Sequence, residues 1–256
     1  MGRRHPGEQQ RALPDRHRGR HRRHRPGAGA VPLISERPPG GSRLIRVDCH
    51  LHTVYSGDAV TTIDQLAERV AETGLDVVCV TDHHSVQGAA EALARDIGAR
   101  VIVGEEIRTT AGELIGLFLA ERIPYVLPVD EVVTRIRAQG ALVYAPHPFD
   151  PVRSSLGDAM LGRLAERGDL DIVEVFNAKV SDPEHNRLAA EAARRYGLPA
   201  GAGSDAHDPV GVGAAYLEMP DFDGPADFLA KLGEARVVGE LRDHAPLGLI
   251  GPPRRG

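Results

Sequence analysis

Residues 47–53 read VDCHLHT and place His50 and His52 two positions apart at the end of an apolar run. On an extended strand the side chains at i and i+2 share a face, so both imidazoles would aim at one point while Cys49 and Leu51 face the other way. Two imidazoles converging on one point are ligands for a divalent metal. A chain with twelve histidines also yields such a pair by chance, so the metal reading needs more ligands. The chain supplies them. Asp82, His83 and His84 close the segment 75–84, Glu105 and Glu106 follow VIVG, Glu113 sits in GELIGLF, His147 in ALVYAPHP, and Asp205 and His207 in PAGAGSDAH. Neither a Gly-x-Ser-x-Gly elbow nor a Walker loop is present, so no serine nucleophile or phosphate-cradling loop competes with a metal centre.

The elements that must position these groups follow from periodicity. Apolar runs over 43–50, 75–84, 99–107, 112–120, 141–148, 171–178, 199–207 and 213–220 read as strands. Between them, 62–74, 86–98, 129–140 and 183–197 read as amphipathic helices, the first closed by Gly74, and a further helix falls within 148–170. Alternation of strand and helix with right-handed crossovers predicts an α/β fold with a parallel sheet, open or closed into a barrel, and a barrel is favoured. Most of the acids and histidines fall at C-terminal strand ends, and in a barrel those ends share one rim. Carboxylates and imidazoles crowded there would be electrostatically costly without cations, which predicts a polynuclear metal site.

Composition bounds the rest. The chain has 256 residues, 41% hydrophobic and 26% charged, values that suit one large domain, or two small ones, with ample length to bury a core. Trp is absent and aromatics make up 4%, so the base-stacking platforms of many single-strand nucleic-acid binders are poorly supplied. Two cysteines, Cys49 and Cys79, form no disulfide framework and fit a reducing compartment; with no apolar stretch near membrane-spanning length, the expected location is the cytoplasm. Residues 1–40 hold ten Arg against three Asp and Glu, leaving 21 basic and 33 acidic residues for the remainder. The stretch RHRGRHRRHRPGAG has no helix or strand period, so 1–42 is expected to be a disordered Arg/His-rich extension, with a nucleic-acid arm as the functional alternative. The expected domain is 43–245, followed by a flexible tail over 246–256.

DCHLHTVYSGDA, VTDHHSV, GEEI, APHPFD and GSDAH, in that order, resemble the successive motifs of the PHP superfamily, the polymerase and histidinol phosphatase metal-dependent phosphoesterases. The resemblance covers roughly residues 44–240. It implies a distorted (β/α)7 barrel holding two or three divalent ions. Carried over by position, it assigns His50, His52, Glu106 and Asp205 to a first metal, Glu106 and His147 to a second, and Asp58, His83 and His207 to a third. Glu106, not Glu105, matches the family's Gly-x-Glu pattern, and strand alternation agrees, leaving Glu105 as a solvated or supporting group. Asp82 is better placed to orient a ligating imidazole than to bind. Where many members of the family carry histidine before an Ile-Leu-Gly segment, this chain has Glu113, and a carboxylate can take that position. The oxygen and nitrogen ligand set fits Zn, Mn or Fe.

Two ions about 3.5–4 Å apart can activate a water and neutralise the oxygens of a phosphoryl centre, which is phosphate ester hydrolysis. Asp205 or His207 would handle the proton. Arg153, Asn177, Lys179 and His84 are the candidate substrate contacts, Lys179 being one of only two lysines in the chain. The short inter-motif spacing predicts no large lid. A small phosphomonoester, a nucleotide or a nucleic-acid end would then fit. The alternatives are a metal-stabilised barrel without turnover serving as a binding module, and an amidohydrolase-like enzyme acting on a carbon centre.

Overall fold

The computed structural model of the protein describes residues 43–242; the extension expected over 1–42 and the tail expected over 246–256 lie outside the described residues. Local signals set the first elements. β1 (Leu44–Leu51) leads to α1 (Ile63–Thr73), where Thr62 caps the helix and exchanges hydrogen bonds with Gln65, and Gly74 ends it in a left-handed conformation. Ile63, Leu66 and Val70 recur at helical spacing and are buried, which gives α1 its inward face. Then follow β2 (Val77–Val80), α2 (Gln87–Arg95), β3 (Arg100–Thr109), β4 (Gly112–Leu117), α3 (Val129–Ala138), β5 (Leu142–Ala145), α4 (Gly157–Glu166), β6 (Ile172–Asn177), α5 (Pro183–Tyr196), β7 (Ala200–Gly203), β8 (Ala215–Pro220), α6 (Gly224–Lys231) and β9 (Arg236–Gly239).

The nine strands form one sheet in the order β7-β6-β5-β4-β3-β2-β1-β8-β9. The first seven lie in chain order, as a seven-stranded barrel requires, and the sheet nearly closes. At the rim Asp205 N–H donates to His50 O (2.7 Å) and His52 N–H to Ala206 O (3.0 Å), joining the end of β7 to the end of β1. The sheet is mixed, which corrects the expected parallel arrangement. β3 and β4 pair antiparallel because only Thr110 and Ala111 separate them, too short for a crossover. β5 is then antiparallel to β4, and β5, β6 and β7 pair parallel. β8 and β9, the latter not anticipated from the sequence, add antiparallel partners beside β1.

Inside the barrel Val47, Cys49, Cys79, Tyr144 and Ile172 belong to one apolar cluster, continued by Phe222 and Phe228. A second cluster packs α1 and α2 outside β1 and β2, and a third packs α3, α4 and α5 outside the later strands. The polar centre therefore sits at one rim of a scaffold whose core is apolar and mostly aliphatic, with a few aromatics such as Tyr144 and Phe228. Among the described residues no helix is long and apolar enough to cross a membrane.

Candidate metal centre

β1 delivers its two histidines with a break in register. Its ladder to β2 shifts between Asp48 and Leu51. Cys49 consequently joins the interior cluster, while Leu51 packs outside against Ile63 and Leu66. This corrects the expectation that Cys49 and Leu51 share a face, and such a bulge re-aims side chains beside a site. His50 Nε2 and His52 Nε2 nevertheless meet, 3.1 Å apart. Glu106 Oε2 lies 3.3 Å from His50 Nε2 and 3.2 Å from His52 Nε2. Asp205 Oδ1 lies 3.7 and 3.3 Å from the same two nitrogens. The four residues assigned to a first metal thus surround one point.

The other carboxylate oxygen of Glu106 faces a second position, with Oε1 3.0 Å from His147 Nε2. Glu113 joins these two, the three offering ligand atoms within 4.8 Å of one another. Glu113 opens its strand, yet it reaches the rim because β4 runs antiparallel to β3. Glu106 lies within β3 and not at its end, since β3 continues into the β3–β4 turn. Asp58 Oδ2 stands 3.4 Å from His83 Nε2 and 3.5 Å from His207 Nε2, a third position, and His52, His83 and His207 also come together as a possible ligand group. All nine residues proposed from the sequence are therefore gathered at one rim.

The far ring nitrogens of His50 and His52 are held by oxygen partners, and Glu174 also fixes the backbone N–H of His147. His50 Nδ1 lies 3.1 Å from Glu174 Oε1, and the other oxygen of Glu174 accepts the His147 N–H (2.7 Å) and the Asn177 amide (2.9 Å). Glu174 is fully buried and was not among the sequence candidates. Its only sequence signal is a charged residue within the apolar run IVEVF. His52 Nδ1 lies 2.8 Å from Ser56 Oγ, whose hydroxyl donates to Asp82 Oδ1 (3.1 Å). Asp82 thus orients an imidazole, as expected, but through Ser56. Gly88 leaves it room, since a Cβ there would stand 2.0 Å from Asp82 Oδ2.

These partners test whether a cation fits. With Glu174 and Ser56 placed to accept Nδ1–H, the Nε2 atoms of His50 and His52 point at the carboxylates of Glu106 and Asp205, where an ion can displace their protons. Asp205 Oδ1 is buried without a hydrogen-bond partner. Two imidazole nitrogens and two carboxylates converging on one point match a divalent ion that takes the place of the imidazole protons. The electrostatics agree. Burial alone would strip the proton from His50, but Glu174, Glu106 and Asp205 hold its pKa well above the usual imidazole range. Burial likewise opposes charge on Glu106 and Asp205, yet His50 and neighbouring cations hold both carboxyls well below theirs. Burial and the Glu106 charge push Glu113 up.

Three residues of the rim take left-handed backbone conformations without being glycine: His84 (φ 56°), His147 (φ 24°) and Asp205 (φ 48°). Such conformations persist where surrounding contacts over-determine them.

The expected substrate contacts divide. Arg153 Nη2 lies 3.3 Å from Asp205 Oδ2 and 3.5 Å from Lys179 O, both cations standing half-buried beside the carboxylates. Burial, with Arg153 contributing, lowers the Lys179 pKa. Asn177 is turned inward: its amide donates to Glu174 and Asp205 (2.9 and 3.2 Å) and its oxygen accepts the Lys179 N–H (2.8 Å). This corrects its expected place as a substrate contact to one of support. His84 stacks on Tyr125, ring centroids 4.2 Å apart, with its pKa pushed down to about 4 by burial and by His83. Glu105 faces the opposite way from Glu106. It is fully buried, accepts the Ile123 N–H (2.7 Å), and burial pushes its pKa up to about 7. It is therefore a supporting group and not a solvated one.

A nearly closed α/β barrel with a cluster of imidazoles and carboxylates at one rim defines a class of metal-centred barrels. The chain belongs to the PHP domain family, which matches residues 48–196, and a PHP-associated segment matches 183–237. An uncharacterized protein of Methanocaldococcus jannaschii is 39% identical over 157 residues, covering 57% of this chain and 89% of that one. A "Probable phosphatase" of Syntrophotalea carbinolica is 28% identical over 191 residues, covering 63% and 80%. Among solved structures, a two-domain protein of Bacteroides vulgatus containing a predicted PHP-like metal-dependent phosphoesterase superposes with a TM-score of 0.61 at 18% identity, over 78% of this chain and 66% of that one.

Proposed function

We propose that the protein hydrolyses a phosphate ester at this rim with two or three divalent ions of the Zn, Mn or Fe type. The observation that carries the reading is Glu106, whose two oxygens face two different ligand groups across one carboxylate. Ions held there would supply Lewis acidity and an activated water. His50, His52, Glu106 and Asp205 would hold one ion, Glu106, Glu113 and His147 a second, and Asp58, His83 and His207 a third. Arg153 and Lys179 would receive the phosphate oxygens that face away from the ions. Asp205, held ionised, and His207, whose pKa burial lowers, stand as the proton acceptors. Among the described residues the segments around the centre are short loops of the rim, and a small phosphomonoester, a nucleotide or a nucleic-acid end would fit that architecture. The relative called a probable phosphatase supports the same chemistry.

The test is a panel of a phosphomonoester, a phosphodiester and an amide assayed on protein reloaded with Zn, Mn or Fe after chelation. Turnover of an ester with at least one metal is expected. Turnover of the amide alone would replace this reading with carbon-centred hydrolysis, and no turnover with any metal would replace it with a binding role.

A further inference from the structure

Asp150 has no place in the metal cluster, yet it is fully buried and heavily used. Its Oδ1 accepts the Ser181 hydroxyl (2.7 Å) and the Val152 N–H (3.1 Å), and its Oδ2 accepts the Ser181 N–H (2.8 Å). His185 Nδ1 stands 3.6 Å away. Burial opposes its charge, but the two Ser181 donors hold the carboxyl below its usual range.

The two segments joined in this way carry the two cations that face Asp205. Arg153 lies three residues beyond Asp150 in the loop after β5, and Lys179 two residues before Ser181 in the loop after β6. A second tie, from Arg153 Nη2 to Lys179 O (3.5 Å), crosses between the same loops. Two like charges at neighbouring positions repel, the more so when partly buried. Asp205 attracts both cations from one side, but a crossing anchor is needed to hold the two loops together when no phosphate lies between them. Asp150 supplies the anchor from behind, and its negative charge also acts on Arg153.

We propose that Asp150 is a positioning residue that fixes Arg153 and Lys179 as a preorganised phosphate clamp by pinning the loop after β5 to the loop after β6. The inference rests on the reading of those two cations as phosphate contacts. Preorganised binding groups act mainly through KM, and residues acting through one unit are not additive.

The experiment uses metal-loaded protein with p-nitrophenyl phosphate as substrate and inorganic phosphate as competitive inhibitor, with metal content measured for every variant. Arg153→Ala and Lys179→Ala are each expected to raise KM by about tenfold, and Asp150→Ala by about fivefold or more with the metals retained. Adding Asp150→Ala to the Arg153→Ala/Lys179→Ala pair should raise KM and the inhibition constant no further. A full, multiplicative Asp150 effect in that background overturns the proposal while leaving the phosphate reading intact. Unchanged KM in both cation variants overturns the phosphate reading and the clamp with it. If Asp150→Ala does not fold, Ser181→Ala decides, since it removes one of the crossing bonds only: a smaller rise in KM supports the clamp, and an unchanged KM overturns it.

Discussion

At the scale of single residues, Glu106 carries the most. Its Oε2 lies within 3.3 Å of nitrogens from His50, His52 and His83, and its Oε1 lies 3.0 Å from His147. A carboxylate between two cation positions screens their repulsion and fixes their spacing. Glu106→Gln keeps the size and loses the charge. It is expected to lower bound metal by at least one ion per chain and the ester hydrolysis rate by about a hundredfold or more. Glu113→Gln touches the second position alone, so a smaller loss of both is expected; equal losses would show that the two positions fill as one unit. Glu105 provides the contrast. Its carboxyl titrates near 7 instead of 4.5 because burial disfavours the charge. The folded state then binds the proton more tightly than the unfolded chain, so stability is fullest below about pH 4.5 and declines as pH rises toward 7 and beyond. Glu105→Gln cannot titrate. Its melting temperature, measured against the wild type across pH 5–8, should lose ground less steeply with rising pH, and parallel curves would place the Glu105 pKa in the ordinary range.

At the scale of elements, legibility tracked how local the cause was. α1 could be read because Thr62, Gln65 and Gly74 sit in the segment they cap. The strand ends bearing His83, His147 and Asp205 could be read from apolar runs stopped by polar residues. The direction of β4 could not, because a strand's polarity is set by its partner and Glu113 looks the same in either sense. The bulge in β1 was hidden too, since LIRVDCHL obeys a period of two while the ladder does not. Glu174 and Asp150 escaped because their partners, His50 and Ser181, lie 124 and 31 positions away. Long-range contact also explains Gly203. A Cβ there would lie 2.3 Å from His50 Cβ and 2.8 Å from its backbone nitrogen, so β7 approaches β1 as closely as it does only because the side chain is absent. Gly203→Ala must push the two strands apart where the barrel closes. A loss of about 1–3 kcal/mol in stability is expected from overpacking. Because the shift moves His50 and Asp205 relative to each other, weaker metal binding in calorimetry should accompany it. A destabilised variant with unaltered metal affinity would show that the rim adjusts independently of the strands.

At the scale of the whole molecule, the apolar clusters and the metal rim are separable in space but linked in energy. The clusters lie within and around the sheet, while the proposed ligands arrive from the ends of β1, β2, β4, β5 and β7 and from within β3. Chelation should therefore leave far-UV circular dichroism intact and lower the melting temperature. An ion present at about a thousand times its dissociation constant adds about 4 kcal/mol per site, on the order of 10 °C for a domain of this size. The pH dependence of that difference is the sharper test. In the metal-free protein burial lowers the pKa of His83, but Glu106 and Asp58 outweigh it and raise it to about 9. That histidine contributes stability that is complete below its unfolded value near 6.5 and is lost as pH rises through 9. Glu106 and Asp205, held low, contribute stability above about pH 4 that is lost only on acidification. Metal must displace the imidazole protons to bind, so it competes poorly at pH 6 and well at pH 9. The gap between the melting temperatures of the metal-loaded and metal-free protein should widen steadily from pH 6 to pH 9, as the metal-free form loses its imidazolium pairs and the loaded form does not. A gap that stays constant over that range would mean that the ions bind elsewhere, or that His83 does not hold its proton in the empty cluster.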